Sequence, residues 1–462
     1  MNRVSTQPIR SCKIKVLESF SGEAAPMTKC TTASIGFGRV GRRKIEANFN
    51  GGDISSDGGM ILLRQVDRKI GLSKAVAEAI YDPRNPSLIK HKMEDMIGQR
   101  ILSMACGYED LNDHGQLRKD TLMQTALDRD EDLASSPTLS RLETRVRRSD
   151  IVNLSRVLVE LFIAKYRTPP EELILDIDAS DIPLHGEQEK TEFHGYYDKY
   201  CYLPLYVYCG RDLLCCVLRN SRIDGAKHSA AVIRLLVRRL RQAWPDARII
   251  VRGDSGFCRQ RLIRWCERNG VGYAIGVAKN ARLEAIVMAW EYALEREYKA
   301  AGEKQRSIHD FYYGAKTWDC ERRIVTRLEF GVMGNNPRFV VTNLDLPARE
   351  LYDDLYCKRG EAENRIKETQ LDLFGTRTSC HKFLSNWLRV LLAGFAYTLM
   401  QRFKEMALAG TELQNATSAT IRVRLLKIGT AIIRNTRRIR ILFSSYHPLR
   451  DVFARAAAAL AT

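Results

Sequence analysis

The chain has 462 residues, of which 45% are hydrophobic and 28% are charged. These proportions are typical of a globular protein and exclude a disordered chain, and the length favours about three domains. Lys and Arg number 73 against 55 Asp and Glu, which gives a formal net charge of +18. This excess of positive charge indicates a polyanionic partner.

Membrane and secreted classes are disfavoured by the apolar pattern. The longest apolar run, at 390–400, is bounded by Arg389 and Gln401 and is shorter than the roughly 20 residues that span a bilayer. No hydrophobic stretch follows the basic residues of the N-terminus, so we expect no signal peptide. No CxxC pair occurs among the 12 cysteines, so zinc signatures are missing. We therefore expect a cytoplasmic, nucleoid-associated protein without a membrane partner.

The N-terminal third is predicted to be helical. Residues 1–45 are weakly patterned and are expected to be weakly ordered. From Ser55 apolar side chains recur at helical spacing, for example at Met60, Leu63 and Val66 before Gly71, and glycine is a common helix terminator. We predict an all-α DNA-binding region at 46–168, which ends at the prolines that follow Thr168.

The hydrophobic period changes after residue 168. Strands are predicted at 172–178, 202–209, 213–218, 249–251 and 273–277, and helices at 229–244 and 259–268. Three antiparallel strands, a helix, a parallel strand, a helix and a strand follow the order of the RNase H-like fold. We therefore predict an α/β chain whose catalytic core begins at 169–280.

The rest of the chain departs from that order. Residues 281–348 hold a charged helical piece and two β-like runs, and are predicted to be a β-rich insertion. Residues 349–410 return to a helical pattern and should carry a core helix and its continuation. Residues 411–462 form a basic C-terminal region, predicted to be largely helical, with nine basic residues and one acid between Arg422 and Arg455.

Three carboxylates from distant segments are predicted to share one site. Asp178 and Asp254 fall at the C-terminal ends of two strands, the edge where open α/β sheets bind ligands. Glu363 lies on a later helix. Hard oxygen ligands of this kind suit Mg²⁺ and phosphoryl transfer. Asp176 remains an alternative first acid, because period 2 places it on the same side of the strand as Asp178.

The helix around Glu363 presents one polar face. Tyr356, Arg359, Glu363 and Gln370 project within about 60° of each other on a helix. Arg359 can contact a phosphate with two N–H groups, and Tyr356 can hydrogen-bond a neighbouring one. The alternative is a solvated helix with charge pairs four residues apart.

Five motifs in chain order carry a family resemblance. They lie at 55–59 (SSDGG), 176–181 (DIDASD), 185–188 (HGEQ), 252–257 (RGDSGF) and 356–363 (YCKRGEAE). Together they resemble the DDE transposases of bacterial insertion sequences, of the DDE domain group 1 type, whose helix signature is Tyr-x2-Arg-x3-Glu-x6-Lys. The matching part of the chain runs from about residue 46 to the C-terminal region. The last signature position departs from the pattern, since it holds Gln370.

The resemblance implies cut-and-paste transposition through Asp178, Asp254 and Glu363 with two Mg²⁺ ions, or Mn²⁺ as a substitute. It implies double-stranded DNA partners, namely the terminal inverted repeats and the target, a hairpin intermediate, and a homodimer on DNA. It also favours Asp178 over Asp176. A structure-selective RNase H-like nuclease and a non-catalytic DNA-binding descendant remain alternatives.

Further DNA contacts are expected beside the carboxylates. Lys367 lies one turn before Gln370 and is a substitute for the missing lysine. The resemblance implies that Trp318 stacks on a flipped base, although a packed core tryptophan is an equal alternative. The basic C-terminal region predicts a phosphate-binding surface, for which the candidates are Arg434, Arg437, Arg438 and Arg440. A solvated amphipathic element is the alternative there.

Overall fold

The computed structural model of the protein describes residues 34–461. The strands are β1 (Ile35–Val40), β2 (Arg43–Ala47), β3 (Asp53–Ser55), β4 (Glu172–Ala179), β5 (Ile182–Pro183), β6 (Glu192–His194), β7 (Lys199–Tyr202), β8 (Leu205–Cys209), β9 (Asp212–Val217), β10 (Arg248–Gly253), β11 (Gly272–Val277), β12 (Gln305–Tyr313), β13 (Arg322–Gly331), β14 (Gly334–Asn335), β15 (Arg338–Thr342), β16 (Thr430–Asn435) and β17 (Arg438–Phe443).

The α-helices are α1 (Met60–Ile70), α2 (Leu72–Glu78), α3 (Met93–Cys106), α4 (His114–Leu117), α5 (Thr121–Ala126), α6 (Ser136–Arg145), α7 (Arg148–Lys165), α8 (Ser229–Ala243), α9 (Gln260–Arg268), α10 (Ala281–Ala301), α11 (Ala348–Glu350), α12 (Gly360–Lys367), α13 (Phe383–Ala407), α14 (Ser418–Ile421) and α15 (Arg450–Ala461). Helical residues run without a break from 348 to 372, because π-helical stretches at Leu351–Tyr356 and Glu368–Asp372 and a 3-10 turn at Cys357–Arg359 join α11 and α12. We call this run the signature helix.

A mixed nine-stranded sheet organises the chain. Its strand order is β12-β13-β15-β11-β10-β4-β8-β9, with β14 paired to β13. β4, β10 and β11 are parallel to one another, while β8, β9 and β15 join as antiparallel neighbours. The portion β9-β8-β4-β10-β11, with α8 and α9 as its connections, has the RNase H-like order. The predicted fold class is confirmed.

The two faces of the sheet carry different helices, because successive strand residues point to opposite sides. On β10, Ile249 and Val251 belong to the core beneath α8, α9 and α10. Ile250, between them, packs instead with Leu351 and Leu355 of the signature helix. The signature helix therefore lies on the face opposite α8 and α9.

A separate helical core surrounds α13, which contacts α1, α3, α6, α7 and α15. By length and composition α13 could cross a membrane, but most of it is buried inside the protein, as is usual for a core helix. The regions predicted separately at 46–168 and 411–462 therefore share one core. The residues after Gly52 form one compact unit.

The N-terminal region differs from its prediction. Residues 1–33 of the segment expected to be weakly ordered lie outside the described residues. β1 and β2 form an exposed antiparallel hairpin in a unit that ends at Gly52. The region at 46–168 is not all-α, because it also holds β3, which pairs with β16.

The segment at 281–348 is also corrected. Its helix α10 matches the predicted charged helical piece, but the strand β12 was not predicted, and its strands are continuous with the main sheet through β15 and β11. An unpaired edge at β11 would expose a row of backbone donors and acceptors. The segment thus extends the main sheet. The C-terminal region likewise contains a β-hairpin, β16–β17, where helix was predicted.

Candidate active site

Asp178 and Asp254 stand side by side at one edge of the sheet. β4 and β10 are parallel neighbours, and Ile177 is paired with Gly253. The next residue on each strand is an aspartate. The sheet register therefore delivers two carboxylates to the C-terminal edge of adjacent parallel strands, as predicted.

Asp178 lies in a partly enclosed position. Its side chain is 15% exposed, and its Oδ1 accepts a hydrogen bond from the amide of Ala179 at 2.8 Å. Burial, followed by the charge of Asp254 and with a smaller contribution from Glu363, raises the pKa of Asp178 to about 6. The charges of Asp254 and Glu363 therefore both act on Asp178. Like charges gathered in this way are typical of a functional site.

Arg359 links the signature helix to the sheet edge. Its Nη1 lies 3.7 Å from Asp178 Oδ2 and its Nη2 lies 3.3 Å from Glu363 Oε1. Burial opposes the charge of Arg359, but Tyr356 and the three acids raise its pKa. One guanidinium is therefore shared by a carboxylate of the sheet and a carboxylate of the helix.

Gly276 is a site residue that the sequence analysis missed. A Cβ atom at this position would lie 2.6 Å from the hydroxyl of Tyr356 and 2.8 Å from the amide nitrogen of Ser255. Such distances are too short for any side chain, so glycine allows Tyr356 and the Asp254 loop to meet at the end of β11. A glycine within a strand pattern is the signal that could have found it.

Asp176, the alternative first acid, is held by a different arginine. It is 1% exposed, and its two oxygens accept hydrogen bonds from Arg252 Nε and Nη2 at 2.6 and 2.7 Å. Arg252 also donates to the backbone carbonyl of Leu355 on the signature helix. Asp176 therefore helps to position the signature helix, and its oxygens are already used.

The donor set suits divalent cations. In the described range 34–461, no three His, Cys, Asp or Glu side chains are grouped closely enough to hold a metal ion. Asp178, Asp254 and Glu363 nevertheless supply hard oxygen donors around one edge, and Arg359 is their shared cationic partner. A divalent cation would offset the burial and the charge of Asp254 that raise the pKa of Asp178.

Gln370 is not where the prediction placed it. Its side chain is 6% exposed; Ser180 Oγ donates to its Oε1, and its Nε2 donates to the backbone carbonyl of Asp181, both at 3.3 Å. The predicted DNA contact of Gln370 is therefore wrong in this structure, since the amide is used inside the protein. Lys367 is exposed on the signature helix, so the substitution proposed for it stays a prediction.

Trp318 is partly buried against the core beneath α8, α9 and α10. Its ring lies 5.7 Å from that of Tyr313 in an edge-to-face arrangement, and the guanidinium of Arg322 lies 5.4 Å from its centre. These contacts are those of a packed tryptophan. Its predicted base stacking stays a prediction.

The basic residues of the C-terminal hairpin divide into two kinds. Arg434 donates to Gln124 Oε1 at 3.0 Å and Thr125 Oγ1 at 2.8 Å and also bonds the carbonyl of Thr121. It therefore ties β16 to α5, which corrects its assignment to a free DNA surface. Arg437, Arg438 and Arg440 are exposed, as a phosphate-binding surface requires.

Comparisons with known proteins identify the family of the chain. The family model for the transposase DDE domain group 1 matches residues 37–462. No curated protein matches the chain. Among solved structures, a cryo-EM structure of the piggyBac transposase synaptic complex with hairpin DNA is similar, with 12% identity, a TM-score of 0.39 and 80% of each chain covered. On the family match, which spans nearly the whole chain, this protein belongs to the transposase DDE domain group 1 family.

Proposed function

We propose that this family member cleaves DNA at the ends of its own insertion sequence and joins the freed 3′ ends to target DNA. The observation that supports the proposal is that Arg359 lies 3.7 Å from Asp178 and 3.3 Å from Glu363, while Asp254 follows the strand that pairs with the strand of Asp178.

Asp178, Asp254 and Glu363 would hold two Mg²⁺ ions, or Mn²⁺ in their place. When bound, these ions stabilise the charge on the attacking and leaving oxygens of a phosphodiester. Arg359 is then free to contact a phosphate of the cleaved strand with two N–H groups. The hydroxyl of Tyr356, fixed against Gly276, can donate to a neighbouring phosphate.

The proposed partners are double-stranded DNA, in the form of inverted repeats and target, and a second copy of the chain on that DNA. The net charge of +18 supports DNA binding, since phosphate contacts dominate the affinity of such proteins. A nucleoid-associated location in the cytoplasm follows from the proposal.

The test uses a supercoiled plasmid that carries the inverted repeats flanking the gene. Wild-type protein with Mg²⁺ should cut at the repeat ends and transfer the ends to a second plasmid. Asp254→Asn and Glu363→Gln should abolish both steps. Glu361→Gln is the matched control, because Glu361 is on the same helix but pairs with Arg365 at 2.6 Å, and it should leave both steps intact.

Other outcomes separate the alternatives. Cleavage without joining would support a structure-selective nuclease. Binding of the repeats without metal-dependent cleavage would support a non-catalytic DNA-binding protein. Normal cleavage by the Asp254 variant would remove that residue from the active site.

A further inference from the structure

A cationic cleft lies between α8 and α9, outside the carboxylate group. It has a volume of about 360 Å³ and is lined by Arg234 of α8 and by Arg261, Arg264 and Arg268 of α9, together with Gln260 and Trp265. We call it the arginine cleft. Neither the sequence motifs nor the proposed catalytic roles account for it.

Most of its charge is uncompensated. Arg264 Nε lies 2.9 Å from Asp319 Oδ2 and is neutralised there. Arg234, Arg261 and Arg268 are exposed, and no carboxylate within the described residues lies within ion-pair distance of any of them. Unpaired arginines facing one another across a cleft repel, so this arrangement favours an anionic ligand.

The topology places one end of the cleft beside the catalytic edge. α9 begins at Gln260, a few residues after Asp254, and therefore starts at the edge where β10 ends. The last turn of α8 lies near the beginning of β10. Its first turn therefore lies at the other end, beside the edge where β10 ends. Ala230 and Ala231 of this turn line the cleft.

We infer that the arginine cleft binds the phosphate backbone of duplex DNA, as a continuation of the path that crosses the carboxylates. The inference rests on the proposed function, because that function supplies the polyanion. Three unpaired guanidinium groups in a cleft suit a series of phosphates, since each can contact one phosphate with two N–H groups. The contact is to the backbone and is therefore independent of base sequence.

The experiment measures binding of a fluorescent duplex of arbitrary sequence by anisotropy, without metal, over a range of salt concentrations. In the Arg234→Ala/Arg261→Ala/Arg268→Ala variant, affinity should fall about tenfold or more near 0.1 M salt, and the slope of log K against log salt should become shallower by about 0.9 for each lost contact. The matched control is Arg148→Ala/Arg156→Ala/Arg296→Ala, which removes the same charge from exposed positions outside the cleft.

Equal losses in the two triple variants would show an effect of net charge and overturn the inference, as would an unchanged slope in the cleft variant. The Arg→Lys triple variant should retain most of the slope, because charge is preserved; a loss as large as that of the alanine variant would contradict backbone binding. Thermal unfolding of each variant confirms that it is folded. Because binding is measured without metal, failure of cleavage would count against the proposed function alone.

Discussion

Asp176 and Arg252 are paired residues on neighbouring parallel strands, and their side chains form a buried ion pair with N–O distances of 2.6 and 2.7 Å. The same guanidinium donates to the carbonyl of Leu355. The pair therefore fixes the position of the signature helix, which carries Glu363, relative to the sheet. Asp176, two residues before Asp178 on β4, therefore has a scaffold role.

The first prediction separates these two aspartates. Asp176→Asn should lower the free energy of unfolding by about 3–5 kcal/mol, because it leaves a buried arginine without its carboxylate. Asp178→Asn should cost little stability and abolish cleavage, since it removes a carboxylate that its neighbours repel. Urea unfolding and plasmid cleavage measure the two effects. A stable, inactive Asp176 variant beside an active Asp178 variant would reverse the assignment of the first ligand.

The second prediction concerns Gln370, where the family pattern has lysine. Gln370→Lys should lower stability by about 1–3 kcal/mol and leave DNA affinity unchanged, because the new ammonium would replace buried hydrogen bonds to Ser180 and Asp181. Lys367→Ala, on an exposed position one turn earlier, should weaken binding to element-end DNA severalfold at low salt without a loss of stability. Tighter binding by the Gln370 variant would show that this side chain reaches DNA after all.

The sequence could predict those parts of the site that depend on the hydrophobic period of the strands and on the register of their pairing. Strands β4 and β10 are apolar runs that end in aspartate, so their parallel pairing brings Asp178 and Asp254 together. The burial of Gln370 could not be read in the same way, because it depends on how the π-helical end of the signature helix packs against the segment after β4 and against β8. The arginine cleft was missed for a related reason: it is formed by one face each of two helices that are separated by a strand.

The SSDGG motif is another feature whose structural role could not be predicted from the sequence. It was recognised as a family pattern, but the structure gives it a packing role. Asp57 is 2% exposed and pairs with Lys427 at 2.7 Å, while the hydroxyl of Tyr108 donates to it at 2.6 Å. The amides of Gly58 and Gly59 donate to the carbonyls of Ile428 and Leu426 at 2.9 and 3.0 Å. The motif therefore fastens the start of α1 to the segment before β16.

The third prediction tests this role. A Cβ at Gly59 would lie 2.3 Å from the carbonyl oxygen of Leu425 and 2.5 Å from Cα of Leu426, so backbone must move to admit it. Gly59→Ala should therefore cost about 1–3 kcal/mol of stability or more. Gly115→Ala is the control: it lies in α4 with nothing within 4 Å of its added Cβ, and it should be neutral or slightly stabilising. Equal stability of the two variants would contradict the packing role.

The fourth prediction divides the arginines of the C-terminal hairpin. Arg434→Ala should lower stability by about 1–3 kcal/mol, because it removes the bonds that hold β16 to α5. The Arg437→Ala/Arg438→Ala/Arg440→Ala variant should keep its stability but bind duplex DNA more weakly, with a salt slope reduced by about 0.9 for each lost phosphate contact. Thermal unfolding and anisotropy titrations test both. A triple variant with unchanged binding would mean that the hairpin faces solvent in the DNA complex.

The last prediction is a pH dependence set by His114, which is fully buried. Its Nε2 lies 3.1 Å from Arg100 Nη1; since arginine can only donate, this nitrogen must accept and the imidazole is neutral. Burial, and then the charge of Arg100, lower the pKa of His114 to about 3 from 6.5. Between pH 3 and pH 6.5 the unfolded chain binds more protons at this histidine than the native protein does. The free energy of unfolding therefore rises with pH between these values, and it decreases as the pH falls below about 6.5. This group should contribute up to about 1.4 kcal/mol per pH unit.

Urea unfolding between pH 4.5 and 7 should show a shallower pH slope for His114→Gln than for wild type, whereas substitution of the exposed His185 by Gln should leave the slope unchanged. Identical slopes for wild type and His114→Gln would show that the buried imidazole is not the source.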